Sequence, residues 1–154
     1  MAQNALTVIL PIKSHEVAAL RDLLVLIGDD IKHNPHLGFN ESPSTHFARF
    51  VILDPAATPG IASLQGHGAR LLFTSNYDGS FEFYMRELVD RFGAKMEPIW
   101  SNCDGYPPNA AQDHAAFTGF MRRHSLEYAA FYIAMRGVTV KTIRDSIRTR
   151  EALT

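Results

Sequence analysis

Two runs of the chain share one spacing. Ser75-Asn76-Tyr77-Asp78-Gly79 and Ser101-Asn102-Cys103-Asp104-Gly105 both read S-N-x-D-G. Carboxylates at the ends of strands or helices can orient a substrate or move a proton, and Tyr77 and Tyr106 would set hydroxyls beside Asn76, Asp78 and Asp104. The same composition is ordinary turn chemistry, because Asn, Asp and Gly tolerate turn backbones and bond their own main chain, so two such turns need no shared function. Asp78, just ahead of a helix, would also favour the positive end of that helix.

His124 and Arg49 are out of place by type. His124 follows Phe117, Phe120 and Met121 on the apolar side of a helical pattern, while Arg122 and Arg123 point outward. An inward histidine can ligate haem iron or another metal, or act as a tuned base; it can equally be a core histidine bonded to a carbonyl. Arg49 sits in a strand between Phe47 and Val51, so it pairs with a carboxylate, holds an anionic ligand or haem propionate, or lies on an edge with its stem reaching water. His33 and His36 fall in a loop around Pro35 without the spacing of a metal site, and Gly66-His67-Gly68 lacks a phosphate-binding fingerprint. Cys103 has no neighbour that would make it a thiolate.

These residues need elements to hold them. A chain of 154 residues, 46% hydrophobic and 20% charged, is one globular domain with a continuous core. A net charge of -1 gives no overall pull toward nucleic acid or an anionic membrane. The basic stretch from Arg122 through Lys141 to Arg150 lacks interleaved aromatics and reads as a solvated helix face. A single cysteine fits a reducing compartment, no leader or membrane-spanning run is apparent, and the cytoplasm is the expected location.

β-branched runs predict strands over 6–12, 46–53, 70–76 and 128–134. Helical periodicity predicts a first helix capped by Ser14 and running to about Ile31, a second opened by Ser80, a third over about 110–124 and a last one capped by Thr139. The order β-α-β-β-α-(α)-β-α predicts a ferredoxin-like α+β fold. In it an antiparallel four-stranded sheet carries its helices on one face, with one helix inserted and one appended at the C-terminus. The second strand is apolar on both faces, so the uncovered face is expected to meet a second copy of the chain.

On this order and the two-sided sheet, the chain resembles the dimeric α+β barrel superfamily, which includes antibiotic-biosynthesis-type monooxygenases, chlorite-dismutase-like proteins and dye-decolourising peroxidases. The resemblance implies a homodimer with a pocket between sheet and helices for oxidative work on a small molecule, with or without haem. Such a pocket would draw on Arg49, Asn76, Asp78 and Tyr132 for catalysis and on His124 as the haem ligand. A non-catalytic module binding a small ligand or a protein is the other reading, favoured if these residues lie beyond one another's reach.

Overall fold

Alternation of side chains along three runs decides the architecture. In the computed structural model, which describes residues 1–154, these runs form β1 (Gln3–Pro11), β2 (Thr45–Leu53) and β3 (Arg70–Asp78). The helices are α1 (Val17–Asp29), α2 (Phe81–Phe92), the single turn α3 (Glu97–Trp100), α4 (His114–His124) and α5 (Val140–Ala152). β3 lies in the middle of the sheet and pairs antiparallel with both neighbours, giving the order β1-β3-β2. β1 and β2 therefore run parallel to each other, and α1 carries the chain across between them.

Period two then sorts every strand residue to one of two faces. Leu6, Val8 and Leu10 of β1, Leu71 and Phe73 of β3, and Ala48, Phe50 and Ile52 of β2 point into the core, where α1, α2 and α4 bury Leu20, Ile27, Tyr84, Met85, Leu88, Phe117 and Phe120 against them. Beyond the Gln3–Asp78 pair at the rim, the opposite face consists of four cross-strand rows: Ala5–Asn76–Phe47, Thr7–Thr74–Arg49, Ile9–Leu72–Val51 and Pro11–Arg70–Leu53. None of the residues in these rows is fully buried, and Phe47 is 74% exposed.

Local chemistry sets the helix starts. Ser80 Oγ accepts from Phe83 N at 3.2 Å, Asp113 Oδ1 from Ala116 N at 2.9 Å, and Thr139 Oγ1 from Thr142 N at 3.1 Å, the expected satisfaction of orphan N–H groups in a first turn. Gly79, between β3 and α2, holds φ at +94°, and a Cβ there would lie 3.0 Å from the Phe83 ring, so both backbone and space demand glycine. Ser14 does not cap α1: residues 14–16 form a turn, and Glu16 stands at the N-cap without a side-chain bond.

The four-stranded ferredoxin-like sheet and the barrel relationship are corrected by the structure, which has three strands in an open sheet. Residues 128–134, expected as the fourth strand, follow the chain that reaches the free edge of β1. Pairing does begin there: Ser125 bridges antiparallel to Val8, and Leu126 N donates to Thr7 O at 2.8 Å. It then stops. Residues 127–138 make no backbone-to-backbone hydrogen bond. Strand preference is realised only where a ladder and a packed face reward it, and this segment has neither, for Ala129, Ala130 and Ala134 are exposed and Tyr132 is 85% exposed. The inserted and C-terminal helices are present as expected.

Aromatic rings knit the core. Phe73 stacks on Phe50 with centroids 4.7 Å apart and meets Trp100 edge-on at 5.5 Å; Trp100 in turn meets Phe117 at 6.0 Å. Phe73→Ala removes the ring shared by the first two contacts. Urea unfolding followed through Trp100, the only tryptophan, is expected to show a loss of about 3–5 kcal/mol, the usual cost of emptying a buried Phe site. A loss below about 1 kcal/mol would show that this cluster does not carry the core.

Candidate functional site

Where the fourth strand fails, a cleft opens. Its walls are Asn4, Ala5 and Leu6 on the edge of β1 and Ser125, Leu126, Glu127 and Tyr128 on the departing chain, and its volume is about 500 Å³. Tyr77 from β3, Phe81 from α2 and Arg122 from α4 complete it. Arg122 is held twice: its guanidinium carbon lies 4.9 Å from the centroid of the Phe81 ring, and Nη2 reaches Glu82 Oε1 at 2.5 Å. The hydrogen bond from Arg122 keeps the Glu82 carboxyl below its ordinary range. Burial, and then the neighbouring Tyr128 and Glu82, push the Tyr77 phenol up to about 12, so it enters the cleft as a neutral hydroxyl. Apolar walls with a few polar groups of this kind suit a small organic guest.

Behind the cleft the Tyr77 ring stacks on Tyr84, with centroids 4.2 Å apart and planes 8° apart. Tyr84 opens a buried polar chain. Its hydroxyl lies 2.7 Å from Ser75 Oγ and 3.2 Å from Thr45 Oγ1; Thr45 Oγ1 lies 2.6 Å from Ser42 Oγ, which donates to Glu87 Oε1 at 2.6 Å. Burial outweighs the Ser75 and Thr45 hydrogen bonds and raises the Tyr84 phenol to about 12.

At the rim of the sheet, Asp78 joins three elements. Oδ1 accepts from His46 Nε2 at 2.9 Å, in the irregular step where β2 slips by one residue against β3. Oδ2 accepts from Val140 N at 2.8 Å, in the first turn of α5. Gln3 Nε2 adds a bond to Val138 O at 2.5 Å. Asp78 is thus a fastening for α5, and its two oxygens are both taken.

Of the five residues expected to form one pocket, Arg49, Asn76 and Asp78 share one sheet face, and Tyr132 and His124 lie apart from them. Arg49 and Asn76 occupy adjacent rows of the open sheet face. Asp78 is buried at its rim, and Tyr132 projects from the unpaired segment. His124 is half-buried at the end of α4, on the core side of the sheet. Its Nδ1 donates to Phe120 O at 2.9 Å, and its ring packs on Phe120 with centroids 4.7 Å apart. The haem expectation is corrected: His124 lines neither the cleft nor the smaller cavity at the start of α5, and no group of three or more His, Cys, Asp and Glu side chains is placed to hold a metal ion.

The two S-N-x-D-G runs lie at opposite ends of β1. Asp78 faces Gln3, whereas Asp104 N donates to Pro11 O at 2.8 Å, roughly 27 Å away by strand rise. The first is the end of strand β3 and the second a turn, and each finishes on a positive-φ glycine, Gly79 and Gly105. Tyr106 binds Glu97 Oε2 at 2.7 Å and accepts from Ala111 N, and Cys103 is pushed up to about 12 chiefly by burial. His46 and Glu87 were missed by sequence reasoning, although Glu87, three residues after Tyr84, falls on the buried stripe of α2.

Comparison with known proteins gives no match. No family model, no curated protein and no solved structure matches the chain.

Two outcomes test this geometry. Asp78→Ala is expected to speed hydrogen exchange at the Val140 amide and to cost about 1–3 kcal/mol, the penalty for a lost buried acceptor; unaltered Val140 protection would mean that α5 is held elsewhere. Tyr77 and Tyr84 keep their protons above the ordinary value of 10. Between about pH 10 and 12 the unfolded chain therefore holds fewer protons than the folded one. Their contribution is whole below pH 10 and is lost as pH rises through that window. Tyr84→Phe should shrink the alkaline fall in the urea midpoint, and an equal fall in variant and wild type would remove Tyr84 from this linkage.

Proposed function

We propose that the protein is a small-molecule-binding module that acts as a homodimer, with the guest seated in the cleft beside β1. The observation that carries the reading is the cleft itself, whose size, apolar walls and converging Tyr77 and Arg122 suit a flat organic molecule bearing a hydrogen-bond-accepting or anionic group. The rings and methyl groups of Ala5, Leu6, Phe81 and Leu126 would cover its body, and Arg122 would meet its charge. Both oxygens of Asp78 are taken by His46 and Val140, and Tyr132 and His124 lie away from the face that holds Arg49 and Asn76, which favours binding over a shared reaction centre.

A second copy is the occupant proposed for the open sheet face. The row Ile9–Leu72–Val51 runs across it, and its one carboxylate, Asp78 at the rim, is already held by His46 and Val140. Arg49 lies on an edge strand and Arg70 in the terminal row, positions from which long stems carry the guanidinium groups to the rim. Two such faces related by a two-fold axis stack about 10 Å apart, as in other sheet-on-sheet packing. The lone cysteine supports a reducing, cytoplasmic setting for this assembly. No helix is long and apolar enough to cross a membrane.

Fluorescence titration with 1-naphthoate tests the cleft. Arg122→Gln should weaken binding about tenfold, the worth of one charge-assisted hydrogen bond, and leave neutral 1-naphthalenemethanol unaffected; naphthoate binding indifferent to this change would overturn the reading. Light scattering tests the dimer. The wild type is expected at twice the chain mass and Val51→Asp at the chain mass, whereas a monomeric wild type would refute it.

A further inference from the structure

A second cavity, sharing no residue with the cleft, lies at the other side of the buried polar chain. It has a volume of about 310 Å³. Met1, Pro43 and Phe83 give it apolar walls, and Ser44, Asp78 and Glu87 bring polar groups to it from the loop before β2, the end of β3 and the middle of α2. Thr139 and Lys141, at the start of α5, also line it.

Hydrogen-bond accounting marks this cavity out. Buried polar atoms almost always have partners. Only three side-chain atoms in the chain break that rule: Ser44 Oγ, Glu87 Oε2 and Trp100 Nε1. Two of the three belong to residues lining this one cavity, and both residues are more than nine-tenths buried, Ser44 at 3% and Glu87 at 7% exposure. Glu87 Oε1 takes the Ser42 hydroxyl, so Oε2 is left without a donor. The neighbours do not supply one. Asp78 is an acceptor whose oxygens already serve His46 and Val140, and Lys141 holds its Nζ against Asp145 Oδ2 at 2.5 Å. A carboxylate oxygen enclosed without a donor is costly, and a ligand that brings a donor recovers that cost.

We propose that this cavity binds a small primary ammonium compound. Its N–H groups would donate to Glu87 Oε2 and Ser44 Oγ, and its hydrocarbon part would rest on Met1, Pro43 and Phe83. The positive charge suits a site with two carboxylates, and a primary ammonium carries three donors where an alcohol carries one and a quaternary ammonium none.

Calorimetric titration with n-butylammonium, n-butanol and tetramethylammonium, each added to the full chain, decides the matter. n-Butylammonium is expected to bind at least about tenfold more tightly than the other two. Glu87→Gln, which keeps an acceptor for Ser42, should erase that preference, and Ser44→Ala should weaken n-butylammonium alone. Equal binding of n-butanol, absence of n-butylammonium binding in the millimolar range, or an undiminished preference in Glu87→Gln would overturn the proposal. If Glu87→Gln does not fold by circular dichroism, Ser44→Ala decides: unchanged n-butylammonium affinity counts against the site.

Discussion

β3 pairs on both sides, and nearly everything else in the fold is a consequence. Because β1 and β2 are both registered against it, the parity of one strand assigns the faces of all three. Phe73 and Leu71 turn to the helices, which draws Phe50, Ile52, Val8 and Leu10 with them; Leu72, Thr74 and Asn76 turn away and draw Arg49, Val51 and Ile9. A slip of one residue in either ladder would exchange core for surface. The single irregularity lies at Thr45–Phe47, the step at which His46 meets Asp78.

The cleft follows from the same sheet. β1 has one partner, so its outer edge is open, and the chain leaving α4 meets that edge at Ser125 and Leu126 before turning away. An edge left unpaired next to a buried tyrosine and an arginine fixed over a ring is a concave surface with polar groups already oriented. The polar chain from Ser75 to Glu87 has a different origin: hydroxyls of β2, β3 and the loop before β2 converge on the buried side of α2, where a wholly apolar stripe would have made ordinary core.

Periodicity and capping made most of the fold legible. The three strands, the caps at Ser80 and Thr139 and the apolar stripe of α2 each depend on local chemistry, and local chemistry is written in neighbouring residues. The stretch Tyr128–Ala134 misled for a physical reason: its residue types suit a strand, but whether a strand forms is decided by the edge it meets and the face it packs on. His124 stands half-buried at the end of its helix, and only the structure shows the carbonyl that satisfies it. The pairing of Asp78 with His46, and the convergence of Ser42, Thr45, Tyr84 and Glu87, join residues tens of positions apart. No spacing rule announces such contacts.

The fastening of α5 has a mechanical meaning. Of its residues only Val140 is buried, and it is tied to the sheet through Asp78, with Gln3 holding the residue before its cap. A pull on the C-terminus would load those few bonds one after another, while β3 would share the same force along two full ladders. The helix is therefore the joint that parts first, and residues 127–138, with no ladder of their own to break, would pay out as slack before the sheet bears any tension.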